Sequence, residues 1–289
     1  MLSITPFIVT IILVNFSSCL YSVLGANNTG LATWYGTETG SGKAAACGWD
    51  DDSKDPPFSS MIAAGNAKFF LKGQGCGHCF EVFCSRKPYC TGKPIKITIT
   101  DECPGKCNDI PYHFDLSGHA FGAMGPPGQE HALRMLGQVD IQFKKVPCSY
   151  GSTKIAFKID KKTNQYWFAT AIEYVNGDGA LTKVEMASAG SPLFTPMKNI
   201  WGAVWQKDTA VLFKPPYSFK LTSGDGKTIT ASNAVPANYK AGQKLGRRSK
   251  PHAYLVFSFV RGIEGLISNT WYRAKVEAGR FESRLLKEG

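Results

Sequence analysis

Eight of the nine cysteines lie between Cys47 and Cys148, and no cysteine follows. The ninth, Cys19, sits in an apolar leader. An even set of cysteines confined to one stretch of a secreted chain reads as a disulfide framework. The set is Cys47, Cys76, Cys79, Cys84, Cys90, Cys103, Cys107 and Cys148. It predicts a stapled first domain and a cysteine-free second one. Cys76-Gly77-His78-Cys79 with Cys84 and Cys90 has residue types that bind zinc, but secretion weighs against a metal site.

Export is read from the first 25 residues, which carry no charged side chain and hold an apolar run from Pro6 to Phe16. Residues 1–25 are taken as a signal peptide, although the usual basic start is missing. The alternative, a membrane anchor, needs a longer span of about 20 apolar residues. Asn27-Asn28-Thr29 makes Asn27 a glycosylation acceptor.

Charge divides the chain the same way. Residues 1–149 carry 12 basic and 12 acidic side chains, residues 150–240 carry 11 and 6, and residues 241–289 carry 10 and 4. A basic second half suggests an acidic polymer such as pectin, or peripheral contact with a membrane surface. No nucleic-acid-binding motif accompanies it, so nucleic acid is excluded as a partner.

The first domain, 26–148, is rich in turn signals and short apolar runs. Ile95, Ile97 and Ile99 alternate, as do Val139, Ile141 and Phe143, which predicts strands. Glu130 to Gly137 reads as one short helix closed by glycine. Beyond a short linker, strands are expected at 153–159, 166–174, 181–187, 210–213, 217–222 and 227–232. Turn residues such as Asn176-Gly177-Asp178-Gly179 separate them. That spacing suggests an antiparallel sandwich.

Two carboxylates stand out, Asp101 after the strand and Asp115 in His113-Phe114-Asp115-Leu116-Ser117. A converging pair is the minimum for acid–base attack on a glycosidic bond. Burial beside Phe114 would raise Asp115 and keep its proton. The plain alternative is that both carboxylates cap turns. A triad of Ser117, His113 and Asp115 is not expected, because neighbours on one strand cannot relay a proton. Aromatic faces stack on sugar rings, which singles out Trp34, Tyr35, Tyr166, Trp167, Trp201 and Trp205. Core packing is the alternative for each.

Thr33-Trp34-Tyr35-Gly36, Ala46-Cys47-Gly48, Gly75-Cys76-Gly77-His78-Cys79, Ile99-Thr100-Asp101 and His113-Phe114-Asp115-Leu116-Ser117-Gly118-His119-Ala120-Phe121 stand in an order and spacing that resemble the β-expansins of plant cell walls. Thr195-Pro196-Met197, Trp201-Gly202-Ala203-Val204-Trp205 and Ala231-Ser232-Asn233-Ala234-Val235-Pro236 extend the resemblance, which covers about residues 30–243.

The resemblance implies an all-β protein. A six-stranded double-psi β-barrel, related to barwin and family-45 glycosidases, would precede an immunoglobulin-like β-sandwich that binds carbohydrate, at 149–243. It implies bridges Cys47–Cys76, Cys79–Cys148 and Cys84–Cys90, with Cys103–Cys107 left by exclusion. Thr33, Tyr35, Asp101, His113 and Asp115 would form a catalytic-like groove, with Trp34 lining it and Tyr166 and Trp201 as binding aromatics. No cofactor or metal is implied. A monomer that loosens walls without hydrolysis is expected, acting on cellulose, xylan and glucan. The related hydrolases carry a base in the first-strand motif; here that motif has none, and Glu38 is the nearest acid. The alternatives are a weak family-45 type endo-β-glucanase and a barwin-like defence protein without loosening activity. Past Gln243 the resemblance stops; if the tail that follows is real, the sandwich would lack its last strand and expose an edge, with residues 252–260 apolar enough to substitute as a strand. Residues 244–289 read as an atypical basic tail, of the kind a gene-model artefact produces.

Overall fold

A computed structural model describes residues 28–38, 45–209 and 213–246. The leader, Asn27, Cys19, most of the 210–213 strand and the basic tail beyond Gly246 lie outside the described residues.

Six strands close the barrel: β1 (Asn28–Tyr35), β2 (Ile62–Gly65), β3 (Cys79–Phe83), β4 (Ile95–Glu102), β5 (His113–Ser117) and β6 (Gln138–Val146). Their order around the barrel is β1-β5-β2-β4-β3-β6. Two pairs, β1 with β5 and β2 with β4, run parallel, so the chain must cross over between them. This is the double-psi arrangement. Alternation decides what each strand contributes. Phe114 and Leu116 of β5 are fully buried in the barrel, with Ile97, Ile99, Val139, Ile141 and Phe143. Phe69 stacks on Phe114 at 3.9 Å, and Phe80 and Phe143 meet Phe114 edge-on. Each buried phenylalanine contributes roughly 1.5–3 kcal/mol by leaving water. The same alternation turns His113 and Asp115 to the other face of β5.

All eight described cysteines are paired, as Cys47–Cys76, Cys79–Cys148, Cys84–Cys90 and Cys103–Cys107. The Cys79–Cys148 bridge spans 69 residues. On the chain-entropy account it restricts the unfolded chain most, by about 4 kcal/mol. Replacing both cysteines by alanine is therefore expected to cost several kcal/mol in denaturant unfolding. Removing the six-residue Cys84–Cys90 bridge should cost about half as much.

The second half forms two packed sheets. One holds β9 (Leu181–Ala187), β10 (Thr195–Pro196), β13 (Tyr217–Ser223) and β14 (Thr228–Val235). The other holds β7 (Ala156–Ile159), β8 (Trp167–Glu173), β11 (Lys198–Trp201), β12 (Val204–Asp208) and β15 (Lys244–Leu245). Phe168, Ile172, Trp205, Phe219 and Leu221 fill the space between them. The β10–β12 segment is not among the strands expected from sequence. Pro196 and Gly202 punctuate it, and each run is too short to show a period. The expected loss of the last strand is also corrected. Lys244 and Leu245 pair with Lys158 and Phe157, so the sheet continues past residue 243.

Barrel and sandwich share a third cluster, with Trp49, Phe58 and Ile62 packed against Ala169, Ala171, Tyr174 and Val204. Backbone bonds cross the boundary: Ala203 N–H donates to Cys47 O at 3.1 Å, and Cys148 and Gly177 exchange bonds of 2.7 and 3.0 Å. The Trp49 indole N–H donates to Ile172 O at 3.2 Å.

Candidate functional site

The parallel pairing of β1 with β5 sets Thr33 opposite Asp115. Thr33 Oγ1 lies 2.5 Å from Asp115 Oδ1 and 2.8 Å from His113 Nε2. Threonine has one proton. If it goes to the carboxylate, His113 Nε2–H must donate to Thr33, giving a relay from His113 through Thr33 to Asp115. Burial holds His113 below the ordinary imidazole value, which favours its neutral form.

Burial also raises Asp115, and the Thr33 bond and nearby His113 offset only part of the rise. Asp101 is raised as well, again chiefly by burial, even though its Oδ1 accepts N–H bonds from Ala46 at 2.7 Å and Glu102 at 2.9 Å. Tyr35 stays protonated, because burial and the two carboxylates all disfavour a phenolate. Both acids thus keep their protons to a higher pH than a solvated aspartate.

The structure brings Thr33, Tyr35, Asp101, His113 and Asp115 together. Trp34 is set apart by alternation along β1. It packs half-buried against the barrel core, and its indole N–H donates to Arg134 O at 3.0 Å. Arg134 also donates to Gly118 O and pairs with Glu38 at 2.8 Å. Glu38, the acid nearest the first-strand motif, is therefore held by a guanidinium.

On the sandwich, Tyr166 is 58% exposed and Trp201 is 47% exposed, whereas Trp205 is buried. Trp167, on the other face of its strand from Phe168, packs half-buried on the boundary cluster. Trp201 abuts the barrel: a Cβ on Gly48 would come within 2.9 Å of its ring. Gly48 is two residues from Ala46, whose N–H holds Asp101. One short segment therefore links groove acid to sandwich aromatic. No side-chain motif records this link, because Ala46 and Gly48 act through backbone and small size. Among the described residues, no three His, Cys, Asp or Glu side chains are grouped to hold a metal ion.

A closed barrel with a carboxylate groove, docked on a sandwich that bears exposed aromatics, is the two-domain expansin architecture. Residues 155–236 match the family described as Expansin C-terminal domain, and residues 62–143 match the one described as Lytic transglycolase. Expansin-B3 of Oryza sativa subsp. japonica is 40% identical over 231 residues, 78% of this chain and 84% of its own. Expansin-B4 of Arabidopsis thaliana is 42% identical over 75% of this chain and 85% of its own. Pollen allergen Phl p 1 of Phleum pratense is 40% identical over 73% and 80%. A Clavibacter michiganensis expansin structure superposes with a TM-score of 0.58 at 19% identity, covering 78% of this chain and 97% of that one. The chain belongs to the β-expansin family of cell-wall loosening proteins.

Proposed function

We propose that this β-expansin loosens walls without cutting them. The observation that carries this reading is the first-strand motif Thr33-Trp34-Tyr35-Gly36, which holds no carboxylate, so it offers Asp115 no base to activate water. The next acid along the chain, Glu38, is exposed and paired with Arg134. Asp115 and Asp101 then bind sugar hydroxyls, Tyr35 orients the chain, and Trp34 braces Arg134 at the groove edge. Tyr166 and Trp201 stack on the same polysaccharide further along. A related fold, a Clavibacter michiganensis expansin variant, was solved in complex with cellohexaose, which supports a β-glucan track. The excess of basic residues over 150–240 suits acidic matrix polymers such as pectin as well. Sustained work comes from wall tension, since binding alone supplies none.

In this reading residues 1–25 direct secretion, Asn27 is glycosylated, and the monomer acts in the wall as a 26–148 barrel and a sandwich beginning at 149. The deciding experiment clamps heat-inactivated wall strips under load at mildly acid pH and adds the protein. Creep is expected with no release of reducing sugar. Sugar release that tracks creep would overturn the reading. Trp201→Ala is expected to weaken cellulose binding by about 2- to 12-fold, the equivalent of roughly 0.5–1.5 kcal/mol of lost stacking, measured by pull-down on insoluble cellulose.

A further inference from the structure

Behind the groove, five charged side chains meet where barrel and sandwich join. Glu173 of β8 is 0% exposed. Lys244 Nζ lies 2.6 Å from its Oε2 and 3.4 Å from Asp52 Oδ1 of the barrel. Lys158 of β7 reaches Asp52 at 3.0 Å and Asp50 at 3.1 Å, and donates to Trp49 O. Tyr174 closes the cluster: its hydroxyl is 2.6 Å from Lys244 Nζ, and its ring packs on Phe58 of the barrel. Asp55 is the remaining acid that faces Tyr174. The cluster thus draws on β7, β8, β15 and the 3-10 turn Asp50–Lys54 of the barrel.

We propose that Glu173 and Lys244 form a proton-operated latch that sets how firmly the barrel sits on the sandwich, and so positions the groove and Trp201 as one glycan track. The inference rests on the continuous-track reading above. Charge balance gives the direction. Ionised, Glu173 makes three carboxylates against two ammonium groups. Protonated, it leaves Asp50 and Asp52 balanced by Lys158 and Lys244. Burial favours the neutral form, against the pull of Lys244, and raises Glu173 to about 7. Docking brings the barrel's Asp52 against Glu173, which raises it further. A carboxyl raised on docking gives docking stability that is full below its undocked value and lost as pH rises through the docked one. The latch is therefore closed in mild acid and loosens toward neutral and alkaline pH. A second cross-boundary set, His78 with Asp178 and Lys145, takes up its charge on the acid side of an ordinary imidazole. Burial and Lys145 hold His78 below its ordinary value.

The test uses the full chain. Hydrogen exchange at the Ala203, Cys148 and Gly177 amides, corrected for intrinsic pH dependence, reads docking without any glycan. Protection is expected to fall about tenfold between pH 5 and pH 8, the equivalent of one pKa unit of linkage. Glu173→Gln, a neutral mimic, should keep the acid-like protection at both pH values. Lys244→Met should move the midpoint upward, because the buried carboxylate loses its cation. Binding to microcrystalline cellulose should follow the same profiles. A flat profile in the native protein, or a Glu173→Gln profile identical to it, overturns the latch. So does cellulose binding that ignores a measured change in docking. If docking follows these profiles while cellulose is bound at no pH, the glycan track fails and the latch stands.

Discussion

Asp115→Asn is expected to lower wall creep by about 10- to 100-fold while leaving the fold intact. Asparagine fills the same space, so the Phe114 and Leu116 core beneath it is undisturbed. It cannot serve as a carboxylate acceptor for Thr33 or for a sugar hydroxyl, nor give up a proton. Hydrogen bonds to a charged group contribute roughly 1.5–3 kcal/mol, and about 1.4 kcal/mol is tenfold in an equilibrium. Thermal unfolding and creep measured on one preparation separate the effects: creep should collapse while the midpoint stays. Creep that survives would remove Asp115 from the site and leave Asp101 and Tyr35 to carry the groove.

The largest loss of stability is expected from Gly77→Ala. Gly77 has φ of +94°, and a Cβ there would lie 2.3 Å from Gly179 O across the boundary. Gly179 returns the contact, with φ of +88° and a Cβ only 2.1 Å from Gly77 O. Neither carbonyl can retreat easily, because Gly77 precedes the Cys79–Cys148 bridge and Gly179 follows the backbone pair of Cys148 with Gly177. A non-glycine residue in that backbone region costs about 1–3 kcal/mol, and overpacking adds about 1–3 kcal/mol more. At about 2–4 °C per kcal/mol for a fold of this size, the unfolding midpoint should drop by roughly 4–24 °C. Gly92→Ala is the control. It also has a positive φ, of +76°, but its Cβ meets nothing within 4 Å, so only the backbone strain should appear. Equal losses at the two positions would show that the close approach to Gly179 costs nothing.

Much of the fold and of the groove is legible in the amino-acid sequence alone. Alternating Ile95, Ile97 and Ile99 specify β4 and its inner face, since a strand's side-chain period is two. The cysteine boundary marks where the stapled barrel ends. The ordered motifs carry the family, and with it the residues that gather in the groove. Contact between residues far apart in the chain is not legible in this way. Parallel β1 and β5 bring Thr33 to Asp115 across 82 positions, and nothing local to either residue encodes that pairing. Trp34 adjoins Thr33 and Tyr35 in sequence, yet strand alternation sends it to the opposite side. The β15 strand is two residues long, too short to have a period, and only its pairing with β7 defines it.

Alternating segments such as β4 and β6, the even cysteine set and the chemistry available at each position could be read from the amino-acid sequence, because these depend on side-chain type and local spacing. The tertiary structure decided which acids keep their protons, which aromatics face water and how barrel and sandwich lock together. Those properties depend on burial and on partners that only the closed fold brings within reach.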